Sequence, residues 1–145
     1  MCIRDRADRV RRFGANAVLS PALGGIVIGQ EVARGLKVRA LFAERQDGTL
    51  TLRRGFTLSP DDKVLVVEDV VTTAGSTRET IAVAEQHGAT VVGACSIVDR
   101  SHGTHGLELP YEALLPMNLP TYREADCPLC KQGVEIVKPG SRTPR

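Results

Sequence analysis

Tryptophan is absent, and the 145-residue chain carries only three Phe and two Tyr. An aromatic core is thereby excluded, and the interior has to be built from Val, Leu, Ile and Ala. No apolar run comes near the roughly 20 residues that a membrane span needs. The basic N-terminus is not followed by an apolar stretch, so no secretory leader is read, and a cytoplasmic protein is expected. No Gly-Lys-Ser or Gly-Lys-Thr of a Walker loop occurs, and no Gly-x-Gly-x-x-Gly turn. These absences demote nucleotide hydrolysis and nicotinamide chemistry. A clustered basic face is missing too. The net charge is +2, but residues 1–12 and 131–145 each carry +3, which leaves −4 on 13–130. A slightly acidic body with basic ends is not the footprint of a nucleic-acid binder. No tandem repeat or low-complexity tract is evident.

What is present is enough for one domain with one core. The stretch ANAVLSPALGGIVIGQEVARGLKV reads as a strand (Ala17–Ser20), a loop (Pro21–Gly25) and a helix (Ile26–Leu36), with Ile26, Val27, Val32, Ala33 and Leu36 at helical spacing. Gly35 falls where a glycine commonly caps a helix C-terminus. A second strand is expected at Val38–Ala43. The polar run that follows holds the strong turn signal Asp47-Gly48 and the alternating Thr49–Leu52, and Glu44–Asp62 is read as a mobile hairpin or lid. A third strand at Val64–Glu68 and a helix at Ser76–His87 follow. Further strands are read at Val91–Val98 and Tyr111–Leu115, and the tail after Lys131 is expected to be irregular.

Strands apolar throughout and alternating with helices imply an α/β fold, a central parallel sheet of about five strands with helices on both faces. Ligands in such sheets bind beyond the carboxyl ends of the strands. One edge then gathers Pro21–Gly25, Glu44–Arg45, Glu68–Ser76 and Asp99–Arg100.

The chemistry on that edge centres on VLVVEDVVTTAGST, residues 64–77. Thr72, Thr73, Ala74, Gly75 and Ser76 lead into a helix, whose first turn offers free N–H groups and a positive dipole end. Small residues let an anion approach those donors and hydroxyls add more, so a phosphate monoester is the natural guest. The competing reading is a Ser or Thr helix cap. Glu68 and Asp69 precede the loop. Two neighbouring carboxylates repel each other, and a metal ion or sugar hydroxyls would offset that repulsion; a solvated pair is the plainer alternative.

This stretch resembles the phosphoribosyl-diphosphate motif of type I phosphoribosyltransferases. SPALGGIVIG, FAERQDGTLTLRRGF, SIVDRS and CPLCKQGVEIVKPGSR together resemble one bacterial and archaeal branch of the orotate phosphoribosyltransferases, from about residue 15 to the end. The resemblance implies transfer of ribose 5-phosphate from phosphoribosyl diphosphate to orotate in UMP synthesis. It assigns Ala22, Leu23, Gly24 and Gly25 to pyrophosphate and Arg45 to the same group from the root of the lid. Glu68 and Asp69 would hold the ribose hydroxyls. Val70, Val71 and Thr72 to Ser76 would wrap the 5′-phosphate, and Thr72 and Arg100 would contact orotate, with Arg45, Glu68 and Asp69 as the catalytic set. The transition state it implies is oxocarbenium-like, with Mg²⁺ and arginine stabilising the departing pyrophosphate. The Mg²⁺ is expected to be carried mainly by substrate, with Asp69 in contact through water. A homodimer with shared sites is implied as well.

Against that pattern, the lid has neither lysine nor histidine. Its basic residues are Arg45, Arg53 and Arg54, Gln46 stands where lysine is frequent, and Gly24 stands where many relatives have lysine. Met1–Arg6 (MCIRDR) is the translation of ATG TGT ATA AGA GAC AG, the end of a transposase sequencing adaptor. These six residues are expected to be a scar ahead of a phosphoribosyltransferase core at 7–130 that lacks an N-terminal base-covering region, with a tail at 131–145. Weak or absent orotate turnover is the corresponding expectation for this chain. Two other functions share the motif, a purine or xanthine phosphoribosyltransferase and a non-catalytic regulator that binds phosphoribosyl diphosphate. Cys127 and Cys130, with His102 and His105 upstream, could be combined into a two-His, two-Cys zinc site. The missing second cysteine pair and the gap of 21 residues favour a turn with reduced thiols. Cys95 reads as a small core residue.

Overall fold

The computed structural model describes residues 3–134. Apolar strand runs alternate with amphipathic helices, and the chain closes them into one six-stranded sheet. Its elements are α1 (Ile3–Val10), β1 (Ala17–Pro21), α2 (Gly24–Leu36), β2 (Arg39–Gln46), β3 (Thr49–Leu52), β4 (Lys63–Val71), α3 (Gly75–Gln86), β5 (Thr90–Asp99), β6 (Tyr111–Pro116) and the one-turn α4 (Pro128–Lys131). The strand order is β3-β2-β1-β4-β5-β6. Strands β2, β1, β4, β5 and β6 run parallel, and β3 joins the edge antiparallel to β2. The expected five-stranded parallel sheet is therefore present, with the hairpin strand as a sixth.

Side chains alternate across a strand, and the core divides accordingly. Ala17, Leu19, Val64 and Val66 pack on one face with Val83 and Ala84 of α3. Val18, Leu65 and Val67 pack on the other with Val10, Ile28, Val32 and Ala33 of α1 and α2. Cys95 is buried in that second layer, as its strand position implied.

Several boundaries differ from the sequence reading, each for a physical reason. Strand β4 runs on to Val71 because Glu68, Val70 and Val71 remain in register with Ser96, Val98 and Asp99 of β5. The two carboxylates thus lie within a paired strand, not beyond it. Gly35 is not the cap of α2. Lys37 is, at φ 62° and ψ 44°, whereas a Cβ on Gly35 would lie 2.5 Å from the Cβ of Ala7. Gly35 is the point where α1 and α2 touch.

The segment Glu44–Asp62 is not a single lid. Asp47 and Gly48 both have positive φ, 51° and 86°, the geometry of a tight turn between twisted strands, and the hairpin ends at Leu52. Beyond it Phe56 meets Phe42 edge-on at 5.0 Å. Asp62 is buried, where its carboxylate accepts from Arg39 Nη2 at 2.6 Å and from the Ser59 N–H at 2.7 Å. Burial pushes the Asp62 carboxyl up, but those donors outweigh it and hold it below its ordinary value. The expected irregular tail lies, from residue 135 onward, outside the described residues.

Candidate active site

The direction of the chain reverses between β1 and β4: β1 passes through α2 to β2 on one side, and β4 passes through α3 to β5 on the other. Neighbouring strands whose connections part this way leave a crevice at their carboxyl ends. A cleft of about 710 Å³ opens there, lined by Pro21 to Gly24, by Glu44, Arg45 and Leu50 of the hairpin, by Glu68 to Val70, and by Thr72 and Ser76. It is continuous with a smaller compartment of about 160 Å³ formed by residues 70–77, because Arg45, Glu68, Val70, Thr72 and Ser76 line both.

Each compartment ends at a helix N-terminus. Helix α2 starts at Gly24 after Leu23 and α3 starts at Gly75 after Ala74, without a side-chain cap and without an acidic residue in the first turn at either. Ala74 adopts the left-handed conformation, φ 57° and ψ 22°. The Ser and Thr residues of the loop are thus not spent on capping α3. Two helix starts, each the positive end of its helix with backbone N–H groups that have no partner within the helix, border one cleft. That is an arrangement for a ligand with an anionic group at each end.

The approach is close at the first loop. A Cβ on Gly24 would lie 2.1 Å from Asp69 Oδ2, and one on Gly25 would lie 3.1 Å from the Val67 carbonyl oxygen. The Ala22–Leu23 peptide bond is cis. Between the two helix starts sit the carboxylates. Glu68 is buried; its Oε1 accepts from the Asp69 N–H at 3.2 Å, and Asp69 Oδ1 accepts from the Val70 N–H at 2.8 Å.

Arg45 borders both compartments. Its Nη1 donates to the Gly48 carbonyl at 2.5 Å and its Nη2 to the Glu79 carboxylate of α3. The two arginines that follow the hairpin are turned onto Glu44: Arg53 Nη1 at 3.2 Å and Arg54 Nε at 2.6 Å. The Arg54 hydrogen bond holds the Glu44 carboxyl below its ordinary value.

The residues read from the sequence therefore come together: Ala22, Leu23, Gly24, Arg45, Glu68, Asp69, Val70, Thr72 and Ser76 in the main cleft, and Val71, Thr73, Ala74 and Gly75 in the smaller compartment. Gly25 is buried behind the first loop. Arg100 is placed differently. Its N–H bonds the Val71 carbonyl at 2.8 Å, which fixes it at the carboxyl end of β5, yet its side chain does not line either compartment. Glu44 lines the cleft, as its place on the predicted ligand edge implied, whereas Leu50 and Glu79 line the site and were not singled out in the sequence. The one signal for Glu79 is its place three residues after Ser76, on the same helix face.

The histidines and cysteines do not converge. The His105 ring lies against Tyr111 at 4.6 Å, and among the described residues no three His, Cys, Asp or Glu side chains form a group fit to hold a metal ion. Cys127 and Cys130 interact with each other, and a hydrogen bond from Cys130 holds the Cys127 thiol below its ordinary value.

Residues 7–108 match the family model described as "Phosphoribosyl transferase domain". The chain is 54% identical over 137 residues to the orotate phosphoribosyltransferase of Carboxydothermus hydrogenoformans, an alignment spanning 94% of this chain and 70% of that protein. It is 50% identical over 136 residues to the orotate phosphoribosyltransferase of Thermotoga maritima, spanning 94% and 73%. Among solved structures it is similar to orotate phosphoribosyltransferase from Aeropyrum pernix, with TM-score 0.61, 25% identity and coverage of 79% and 70%. Adenine phosphoribosyltransferase from Rhodothermus marinus shares the fold, with TM-score 0.66, 19% identity and coverage of 79% and 77%.

Proposed function

The chain belongs to the orotate phosphoribosyltransferase family, and from that membership we infer that its cleft is where ribose 5-phosphate passes from phosphoribosyl diphosphate to orotate. The activity is that of a pentosyltransferase, and its products are orotidine 5′-monophosphate and pyrophosphate.

The observation that carries the assignment of roles is the pair of helix N-termini facing one cleft with two carboxylates between them. Phosphoribosyl diphosphate has a matching layout: a diphosphate at one end, a monophosphate at the other and two ribose hydroxyls between. In this reading the loop Ala22–Gly25 and the start of α2 take the pyrophosphate, and the loop from Val70 to Ser76 takes the 5′-phosphate. Glu68 and Asp69 accept hydrogen bonds from the ribose hydroxyls. Arg45, which borders both compartments, neutralises charge on the departing pyrophosphate, a stabilisation that grows as the bond breaks. Thr72 and Arg100 are assigned to orotate. A guanidinium fork suits a planar anion bearing a carboxylate, and the Arg100 backbone follows the carboxyl end of β5, the sheet edge at which the cleft opens.

Magnesium fits this donor set. Asp69 and Glu68 supply hard oxygen ligands at the cleft, and magnesium characteristically binds through one or two carboxylates plus substrate phosphates. When bound it would neutralise pyrophosphate charge, with Asp69 as its contact through water.

We also propose a homodimer. Val27 is 71% exposed on α2, where it lines a groove of about 300 Å³ with Ile26, Phe42 and Phe56, and a second subunit would cover it. No helix among the described residues is long and apolar enough to cross a membrane, and we place the reaction in the cytoplasm. The unit that carries it is proposed to be residues 7–130.

The test is a panel assay with phosphoribosyl diphosphate, Mg²⁺ and single bases. Orotate absorbance should fall above the uncatalysed background, with adenine, guanine and xanthine unchanged. Consumption of a purine instead would refute the assignment.

A further inference from the structure

Arg78 stands in the first turn of α3, just beyond the loop that borders the smaller compartment, and its guanidinium joins two separate segments. Nη1 donates to the Thr73 carbonyl at 2.7 Å, and Nη2 donates to the His105 carbonyl. Thr73 belongs to the loop assigned to the 5′-phosphate, and His105 belongs to the connection between Arg100 and β6. Gly106 lies beside the second bond: its backbone has φ 60°, which disfavours a side chain there, and a Cβ would lie 3.3 Å from Arg78 Nη2, close enough to shift the guanidinium slightly.

The electrostatics make the Thr73 bond matter. A loop that binds an anion through N–H groups has carbonyls alternating with those donors, and a carbonyl facing a phosphate dianion repels it. A guanidinium bond to the Thr73 oxygen engages that dipole with a cation. The N–H groups at the start of α3 are then left to the anion. The same guanidinium fixes the distance between this loop and the segment that follows Arg100.

We propose that Arg78 is a positioning residue that holds the phosphate loop in its anion-receiving conformation and ties that loop to the base side of the site through the His105 carbonyl. The inference rests on the reading of residues 70–76 as a 5′-phosphate loop. Arg78 is exposed, and exposed arginines contribute little to global stability. Its removal should therefore appear in ligand affinity and not in melting.

The experiment is calorimetric titration of phosphoribosyl diphosphate with Mg²⁺ into the wild-type chain, Arg78→Gln and Arg78→Lys, with melting curves for all three. Loss of a charge-assisted bond to the loop should raise the Kd of Arg78→Gln roughly tenfold, with Tm within about 2 °C of wild type. Arg78→Lys keeps the charge and can reach one carbonyl, so its Kd should fall between the two. Added guanidinium ion at low millimolar concentration should restore part of the lost affinity in Arg78→Gln and leave wild type unchanged. Equal Kd for wild type and Arg78→Gln would overturn this inference alone. A lowered Tm in Arg78→Gln without rescue, with Arg78→Lys binding as wild type does, would assign Arg78 a structural role and overturn it too. A wild-type chain that does not bind phosphoribosyl diphosphate would overturn the underlying functional reading and this inference with it.

Discussion

Asp69 occupies the space that a side chain at position 24 would fill: a Cβ on Gly24 lies 2.1 Å from Asp69 Oδ2 and 2.7 Å from its Cγ. The two residues come from separate β–α units, Gly24 at the start of α2 after β1 and Asp69 in β4. Their closeness joins the loop assigned to pyrophosphate to the carboxylate assigned to ribose. Any side chain at position 24 would require Asp69 to move.

Gly24→Ala should therefore push the Asp69 carboxylate aside and break its bond to the Val70 N–H. The carboxylate is the far end of a partly exposed side chain, so the fold should tolerate the shift. The expected outcome is a KM for phosphoribosyl diphosphate raised roughly tenfold, about 1.4 kcal/mol of lost binding, with an unchanged melting temperature. Steady-state kinetics against a melting curve checks both halves.

Arg45 is predicted to matter for chemistry and not for folding. Its partner Glu79 is 46% exposed and Arg45 itself 36%, so the pair contributes little stability in water. Arg45→Ala should lower kcat by about a hundredfold, the size expected for removing a charge that stabilises a departing anion. Rapid-quench measurement of pyrophosphate release would test this, and a loss confined to KM would contradict the role.

Asp62 gives the protein an acid-sensitive anchor. Its carboxyl titrates lower in the folded chain than in the unfolded one. The stabilisation is present above the unfolded value, roughly pH 4, and is lost as pH falls through the lower folded value. Asp62→Asn should cost about 2 kcal/mol at neutral pH and flatten the acid limb of the stability curve. Urea melts at pH 7 and below pH 4 separate these outcomes.

Ser20 is buried, and its Oγ has no hydrogen-bond partner among the described residues. Ser20→Ala should leave stability unchanged or raise it by about 1 kcal/mol. Gly29→Ala should destabilise by roughly 2 kcal/mol through overpacking, because its Cβ would lie 2.0 Å from Ser20 Oγ. The double variant should recover part of that loss, as thermal melts would show.

Much of this was legible in the sequence for reasons that differ by element. Val64–Val67 is apolar on both faces because helices cover both, so its pattern identified a central strand. Asp47-Gly48 identified the hairpin because both residues must take positive φ. The phosphate loop was legible through small residues crowded before a helix. Helix α1 was not read: from Ala7 to Val10 its buried hydrophobics are Ala7 and Val10, which do not stand out among arginines and aspartates. The role of Gly35 was hidden because a glycine near a helix end reads the same whether it caps that helix or makes room for another. The length of β4 depended on partners in β5, and pairing register is not written in β4 itself. The Arg45 partner of Glu79 and the His105 partner of Arg78 lie 34 and 27 residues away in sequence, so neither pairing is written locally.

Glu68 and Asp69, between the two helix N-termini, are proposed to hold the ribose of phosphoribosyl diphosphate. Calorimetric titration of that ligand with Mg²⁺ into the wild-type chain and into the Glu68→Gln, Asp69→Asn double variant tests it. Saturable binding by wild type, weakened about a hundredfold in the double variant by loss of charged acceptors while the melting transition persists, is the predicted result. Equal affinity in the two chains would contradict it.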